Sequence, residues 1–229
     1  MRDETSFWRL RRREPSARLR FLPTLACLLV CLLACQAAAP GDETLLLYAR
    51  AQDLYREGRF AETARMLAGE AKFVPALVLR GKAEYLSGDL ASAGKTLKRA
   101  LALRPHDNEA SLFLARLHRE TGNTAEAQSL VEKILGDNPS DIRALRFAAE
   151  LARERGVSGE AASAVLLDRA VEASAESALV FLDRARLRWS GGNRMGALED
   201  LRRARALLSD DSPVLKAVVR LESIISEVL

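Results

Sequence analysis

From Thr44 onward, apolar residues recur every three to four positions, and turn-forming residues interrupt them every 15–20 residues. That spacing predicts a succession of short amphipathic helices, and no stretch alternates as a strand would. The last segment, 212–229, shows the pattern clearly. Ser212 and Pro213 stand at an N-cap and first-turn position. Val214, Leu215, Val218, Leu221, Ile224, Ile225 and Val228 then follow at helical intervals. Before Thr44 the pattern is different: residues 1–20 are polar and Arg-rich, and Phe21–Ala34 form one apolar run.

The turns are regular. Gly88, Gly122, Gly156 and Gly192 are separated by 34, 34 and 36 residues, and Gly58 precedes them by 30. A period near 34 residues is that of a repeated helix–turn–helix unit. Gly can take the left-handed conformation that ends the first helix of each pair. Asp89, Asn123 and Asn193 follow as N-caps, and Asn123–Glu126 has the capping-box arrangement. Pro105 and Pro139 stop the helices between units.

Aligned on these glycines, the units resemble tetratricopeptide repeats (TPR). Residues 74–107 carry the family's small residue, Gly, Ala, large apolar, Ala and Pro as Gly81, Gly88, Ala93, Leu97, Ala100 and Pro105. Residues 108–141 supply Ala115, Gly122, Ala127, Val131, Ile134 and Pro139. Residues 142–177 supply Ala149, Gly156 and Ala161, then Leu167 and Ala170 shifted by a two-residue insertion. Residues 178–211 supply Ala185, Gly192, Ala197, Leu201 and Ala204, with Ser209 in place of proline. Residues 44–73 are a shortened first unit with Ala51, Gly58, Phe60 and Leu67. The resemblance implies an all-α solenoid of about five units, closed by residues 212–229 as a capping helix.

The leader adds a destination. A basic n-region, a 14-residue apolar stretch and small residues near Ala37–Ala39 read as an export signal. Leu32-Leu33-Ala34-Cys35 resembles the lipobox of bacterial lipoproteins, with Leu33 departing from the usual small residue. That resemblance implies a signal peptide over 1–34, lipidation of Cys35 and a tether over 35–43. It also implies residence on the periplasmic face of the outer membrane, because Gln36 is not the retention-type Asp. An uncleaved membrane anchor is the alternative, since extension to Ala39 gives a marginal span. Either way the arginines stay inside and the repeats lie outside the cytoplasm.

Charge and chemistry narrow the function. The net charge of +4 arises in the leader, where seven arginines face Asp3, Glu4 and Glu14; the rest carries 28 basic and 28 acidic groups. Bulk charge therefore gives no argument for nucleic acid. Cys27, Cys31 and Cys35 all lie in the leader, so neither a disulfide nor a Cys zinc site is expected in the repeats. His106 and His118 have no visible third ligand. No cofactor, metal or catalytic constellation is expected, and the chain does not read as an enzyme.

In tetratricopeptide stacks, positions 2, 5, 9 and 12 of each first helix line a groove. Here these include Tyr48, Gln52, Tyr55, Lys82, Tyr85, Arg116, Arg119, Arg143, Arg146, Arg153, Arg186 and Trp189. Across five units they hold seven basic residues and two acidic ones, Glu109 and Glu150. Tyr, Trp and Arg are enriched at binding hot spots. The expected partner is a protein or peptide segment in this groove, with the membrane reached through the lipid. The family's Lys/Asn clamp for C-terminal carboxylates is absent. The architecture resembles lipoproteins that assist envelope or secretion-complex assembly. The alternative is a glycan or peptidoglycan binder, or a transport accessory, with Tyr55, Tyr85 and Trp189 stacking on sugars. Homo-oligomer formation is left open.

Overall fold

Gly58, Gly88, Gly122, Gly156 and Gly192 all have φ between 73° and 87°. This is the left-handed region that side chains disfavour. In four of the five turns, the next residue donates its backbone N–H across the turn: Arg59 to Leu54, Asp89 to Glu84, Asn123 to His118 and Asn193 to Arg188, at 2.7–2.9 Å. These bonds occupy carbonyls that the helix end leaves open.

A computed structural model describes residues 41–227. The expected signal peptide, Cys35 and most of the expected tether lie outside them. The described residues form eleven helices and no strand. They are α1 (Asp42–Arg56), α2 (Phe60–Met66), α3 (Val74–Leu86), α4 (Leu90–Leu103), α5 (Asn108–Glu120) and α6 (Thr124–Asp137). Then follow α7 (Ile142–Arg153), α8 (Val157–Ala173), α9 (Ala178–Ser190), α10 (Arg194–Ala206) and α11 (Pro213–Glu227). Odd-numbered helices from α1 to α9 are the first members of each pair. The result is an all-α, tetratricopeptide-like solenoid.

Each pair closes on two small residues. Gly81 of α3 and Ala93 of α4 occupy the crossing, and Ala115, Ala149 and Ala185 take the place of Gly81 in later units. A Cβ on Gly81 would lie 2.7 Å from the Leu97 side chain, so glycine permits that approach. Leu67, Leu97, Val131, Leu167 and Leu201 fill the seam beside the contact. α11 buries Val218 and Ile225 against Leu201 and Ala204, covering the open end of the fifth unit.

Two units are irregular, and the fourth departs from the sequence reading. The repeat pattern puts Ala161 at the crossing of the fourth pair, but it is exposed, and Ser163 is buried there instead. The insertion therefore sits at the start of α8, ahead of the crossing rather than after it. α8 begins directly after Gly156, and its first turn runs close to the end of α7. A Cβ on Gly159 would fall 1.8 Å from the Ala152 carbonyl oxygen, which explains the glycine. In the first unit, α2 has only seven residues. Its crossing residue is the buried Thr63. The chain then turns on Glu70, whose Oε1 accepts the N–H groups of Ala71, Lys72 and Phe73 at 2.9 Å each. Those bonds hold the Glu70 carboxyl below the usual carboxylate range.

The capping box expected at Asn123 does not form. The Asn123 side chain makes no cap bond and donates instead to the Thr121 hydroxyl at 3.1 Å. Asp89, Asp107, Asp141 and Asn193 do cap their helices.

The fifth unit contains a buried ion pair. Asp200 is fully buried on α10 and accepts two bonds from Arg184 of α9, at 2.9 and 2.7 Å. Arg188 reaches the same carboxylate at 2.9 Å, and Arg184 also bonds Asp168 of α8 at 2.8 Å. Removing one side of such a pair leaves a buried charge unmatched. Asp200→Ala should therefore cost about 3–5 kcal/mol in urea unfolding. Replacing Arg184 by Met and Asp200 by Leu together should restore most of that loss. A single variant as stable as wild type would disprove the assignment.

Candidate functional site

The first helices α1, α3, α5, α7 and α9 present their positions 2, 5, 9 and 12 along one face. At its N-terminal end, Tyr48, Gln52 and Tyr55 of α1 and Lys82 of α3 line a pocket of about 390 Å³. Val78 and Leu79 add apolar surface, and Arg104, Asp107 and Glu109 close the side toward the third unit. Tyr48 packs edge-on to Phe73 and Tyr55 to Phe60, each with ring centres 5.3 Å apart. Toward the C-terminal end, Arg146, Arg153 and Arg186 gather around Glu150 and Asp183 in a small cleft of about 60 Å³.

Between the two ends runs a ladder of cations and rings. Lys82 Nζ lies 4.9 Å from the Tyr55 ring centre and 5.4 Å from that of Phe113. Arg116 follows at 5.1 Å from Phe113 and 6.0 Å from Phe147. Arg119 lies 5.1 Å from Phe147. Contacts of this kind favour a cation over a ring face by about 0.5–2 kcal/mol. They also fix where each positive charge sits.

Acids from neighbouring repeats meet most of these cations. Lys82 pairs with Glu109 at 2.7 Å, Arg119 with Glu150 at 2.6 Å, and Arg146 with Asp183 at 2.6 Å. Arg186 is 3.4 Å from Asp183, and Arg143 is 3.8 Å from Glu109. Arg119 also lies 3.7 Å from Glu154. Tyr85 donates its hydroxyl to Glu120 and stacks edge-on to Phe113. Position counting along the sequence omits Glu120, Glu154 and Asp183. With them included, seven groove cations face five acids, and the positive excess is smaller than the sequence suggests.

Trp189 packs against the core of the fifth unit, beside α10 and α11, and is partly buried. Phe113 and Phe147 are not among the sequence candidates. The available signal was their spacing: Phe113, Phe147 and Phe181 recur at 34-residue intervals. His106 is exposed, with Nδ1 2.8 Å from Asp137, and His118 keeps a buried Nδ1 without a partner. Among the described residues, no group of three His, Cys, Asp or Glu is placed to hold a metal. No described helix is long and apolar enough to cross a membrane.

A stack of helix pairs closed by a final helix defines the class: an α-helical repeat protein with a continuous face along its first helices. Its repeats are similar to tetratricopeptide repeats. Residues 84–151 match the tetratricopeptide repeat family model. The fold is similar to TTC0263, a thermophilic TPR protein of Thermus thermophilus, at 18% identity and TM-score 0.67, covering 78% of this chain and 97% of that one. It is similar to MamA residues 41–end from Desulfovibrio magneticus RS-1 at 23% identity and TM-score 0.56, covering 76% and 100%. YrrB, described as a TPR protein with an unusual peptide-binding site, aligns at 15% identity and TM-score 0.50, covering 75% and 89%. No curated protein matches the chain in sequence.

The groove tyrosines should report this environment. Burial, and then the Glu109 charge, raises the Tyr48 and Tyr55 phenols. Burial, and then the bond to Glu120, pushes Tyr85 up to about 12. A raised phenol stabilises the fold fully below its ordinary value of 10.0, and that contribution is lost as pH climbs toward 12. Absorbance at 295 nm should therefore rise late, and Tyr85→Phe should delete the last step. Three tyrosines ionising together near pH 10 in the folded protein would contradict the described packing.

Proposed function

We propose that this chain is a membrane-tethered, extracytoplasmic scaffold that holds a segment of another protein along its first-helix face. The observation carrying this reading is the continuity of that face. A pocket, a cation–aromatic ladder and an arginine cleft lie in sequence across successive repeats, built from the positions that tetratricopeptide stacks direct into their groove. Repeat stacks of this kind suit extended ligands, since each unit adds one increment of surface. The peptide-binding site named for YrrB is consistent with such use of the fold.

The polypeptide reading is favoured over the glycan one by the state of the rings. Tyr48, Tyr55 and Tyr85 are each engaged edge-on by a phenylalanine, and Lys82 covers Tyr55. Trp189 packs into the fifth unit. Sugar stacking needs an open ring face, whereas a peptide can use the mixed polar and apolar edges present here.

Tethering rests on the leader, with Cys35 as the lipidated residue and the outer membrane as the destination. A role in envelope or secretion-complex assembly follows from combining that tether with a protein-binding groove. Two experiments address the two halves. A photocrosslinking amino acid at Gln52 or Arg153 should yield a partner adduct in native membranes, while one at the exposed Lys98 of α4 should not. Equal labelling from all three sites would remove the groove from the proposal. Palmitate-analogue labelling should occur in wild type and vanish in Cys35→Ala, and an unlabelled wild type would rule out the lipid anchor.

A further inference from the structure

The groove cations are in two states. Lys82, Arg119, Arg146 and Arg186 each lie within 3.4 Å of a carboxylate. Arg116, at the centre of the face, is different, and Arg153 shares its lack of an ion pair among the described residues. Arg116 is half-buried, and its guanidinium makes no ion pair or hydrogen bond among the described residues. It lies instead against the rings of Phe113 and Phe147. A ring engages the flat face of a guanidinium and leaves the hydrogen-bonding edge unused. The guanidinium nitrogens keep access to solvent, so an acceptor on a ligand can reach them.

We propose that Arg116 anchors an acidic side chain of an extended polypeptide, and that the Tyr48–Tyr55 pocket takes a bulky apolar or aromatic side chain of the same segment. The pocket's charges are already matched, since Lys82 is paired with Glu109 and Arg104 lies 3.3 Å from Asp107. What remains for a ligand is the half-buried apolar surface of Tyr48, Tyr55 and Pro75, with Val78 and Leu79 buried beneath it. Neighbouring first helices are spaced about 8–10 Å apart. An extended chain advances roughly 3.3 Å per residue. The pocket lies between α1 and α3 and Arg116 on α5, one to two spacings away, so the two anchor residues should stand about three to six positions apart. The five acids along this face disfavour a phosphate backbone, so a polypeptide is the occupant the charges fit.

This inference rests on the groove reading above, and the test separates the two. Random peptides displayed on beads are selected with the purified full-length chain. The expected consensus is Asp or Glu with an aromatic or large apolar residue about three to six positions away. Arg116→Gln should weaken a selected peptide about 10- to 100-fold, the range of a lost charge-assisted hydrogen bond. Arg116→Lys should fall between, because it keeps the charge and loses the planar fork. Changing the peptide acid to its amide should cause the same loss in wild type and almost none in Arg116→Gln. If Arg116→Gln does not fold, as read from its thermal transition, the amide peptide against wild type carries the test. Binders whose consensus has no acid, or that bind Arg116→Gln equally well, overturn the inference and leave the groove reading standing. A library with no binder overturns both.

Discussion

The structure depends on how closely two helices can approach within each unit. Backbones come together only where both helices carry small side chains, and here these are Gly81 with Ala93, Ala115 with Ala127 and Ala185 with Ala197. A larger residue at either point would push the pair apart and open the seam that Leu97, Val131 and Leu201 fill. The left-handed glycine before each second helix sets the direction of return. The small pair then sets its distance. Stacking follows, because no single pair can bury its own apolar face.

The helical pairs were legible in the sequence because this constraint acts at fixed spacing. Glycine, alanine and leucine recur at distances that only one geometry satisfies. Legibility failed where the backbone changed length. The two extra residues of the fourth unit could be counted, but their place could not, since Ala161 and Ser163 are both small enough for the crossing. What decided between them was the start of α8 directly after Gly156. The turn after α2 was likewise hidden. It rests on one carboxylate, Glu70, collecting three backbone N–H groups, and no short motif announces that arrangement. The buried Arg184–Asp200 pair was missed because sequence alone does not distinguish an inward charge from an exposed one.

The groove shows a different limit. Its cations were readable because the repeat fixes which positions face it. Some acidic partners lie at those same positions on the next unit, as Glu109 does for Lys82, and others lie beside them, as Asp183 does for Arg146. Pairing between repeats is a property of the stack, and a unit-by-unit reading does not contain it. The phenylalanines were also outside that reading, although their 34-residue spacing was available. They occupy a position next to the groove-lining one, where a ring can be part of the core and still support a cation above it.

These two features together give the face its selectivity. A groove of free arginines would attract any anion, and its affinity would fall steeply with salt. A groove whose cations are already paired with acids of the same chain offers little to a bulk anion, because each new contact must displace an existing one. Recognition then falls to positions left unmatched by the stack. Arg116 is such a position: the rings of Phe113 and Phe147 set its place and no carboxylate satisfies its edge. No ion pair to it forms among the described residues, and Glu120, one turn further along the helix, is engaged by Tyr85. In the proposed binding groove, specificity would arise from where the repeat's own charge matching is incomplete.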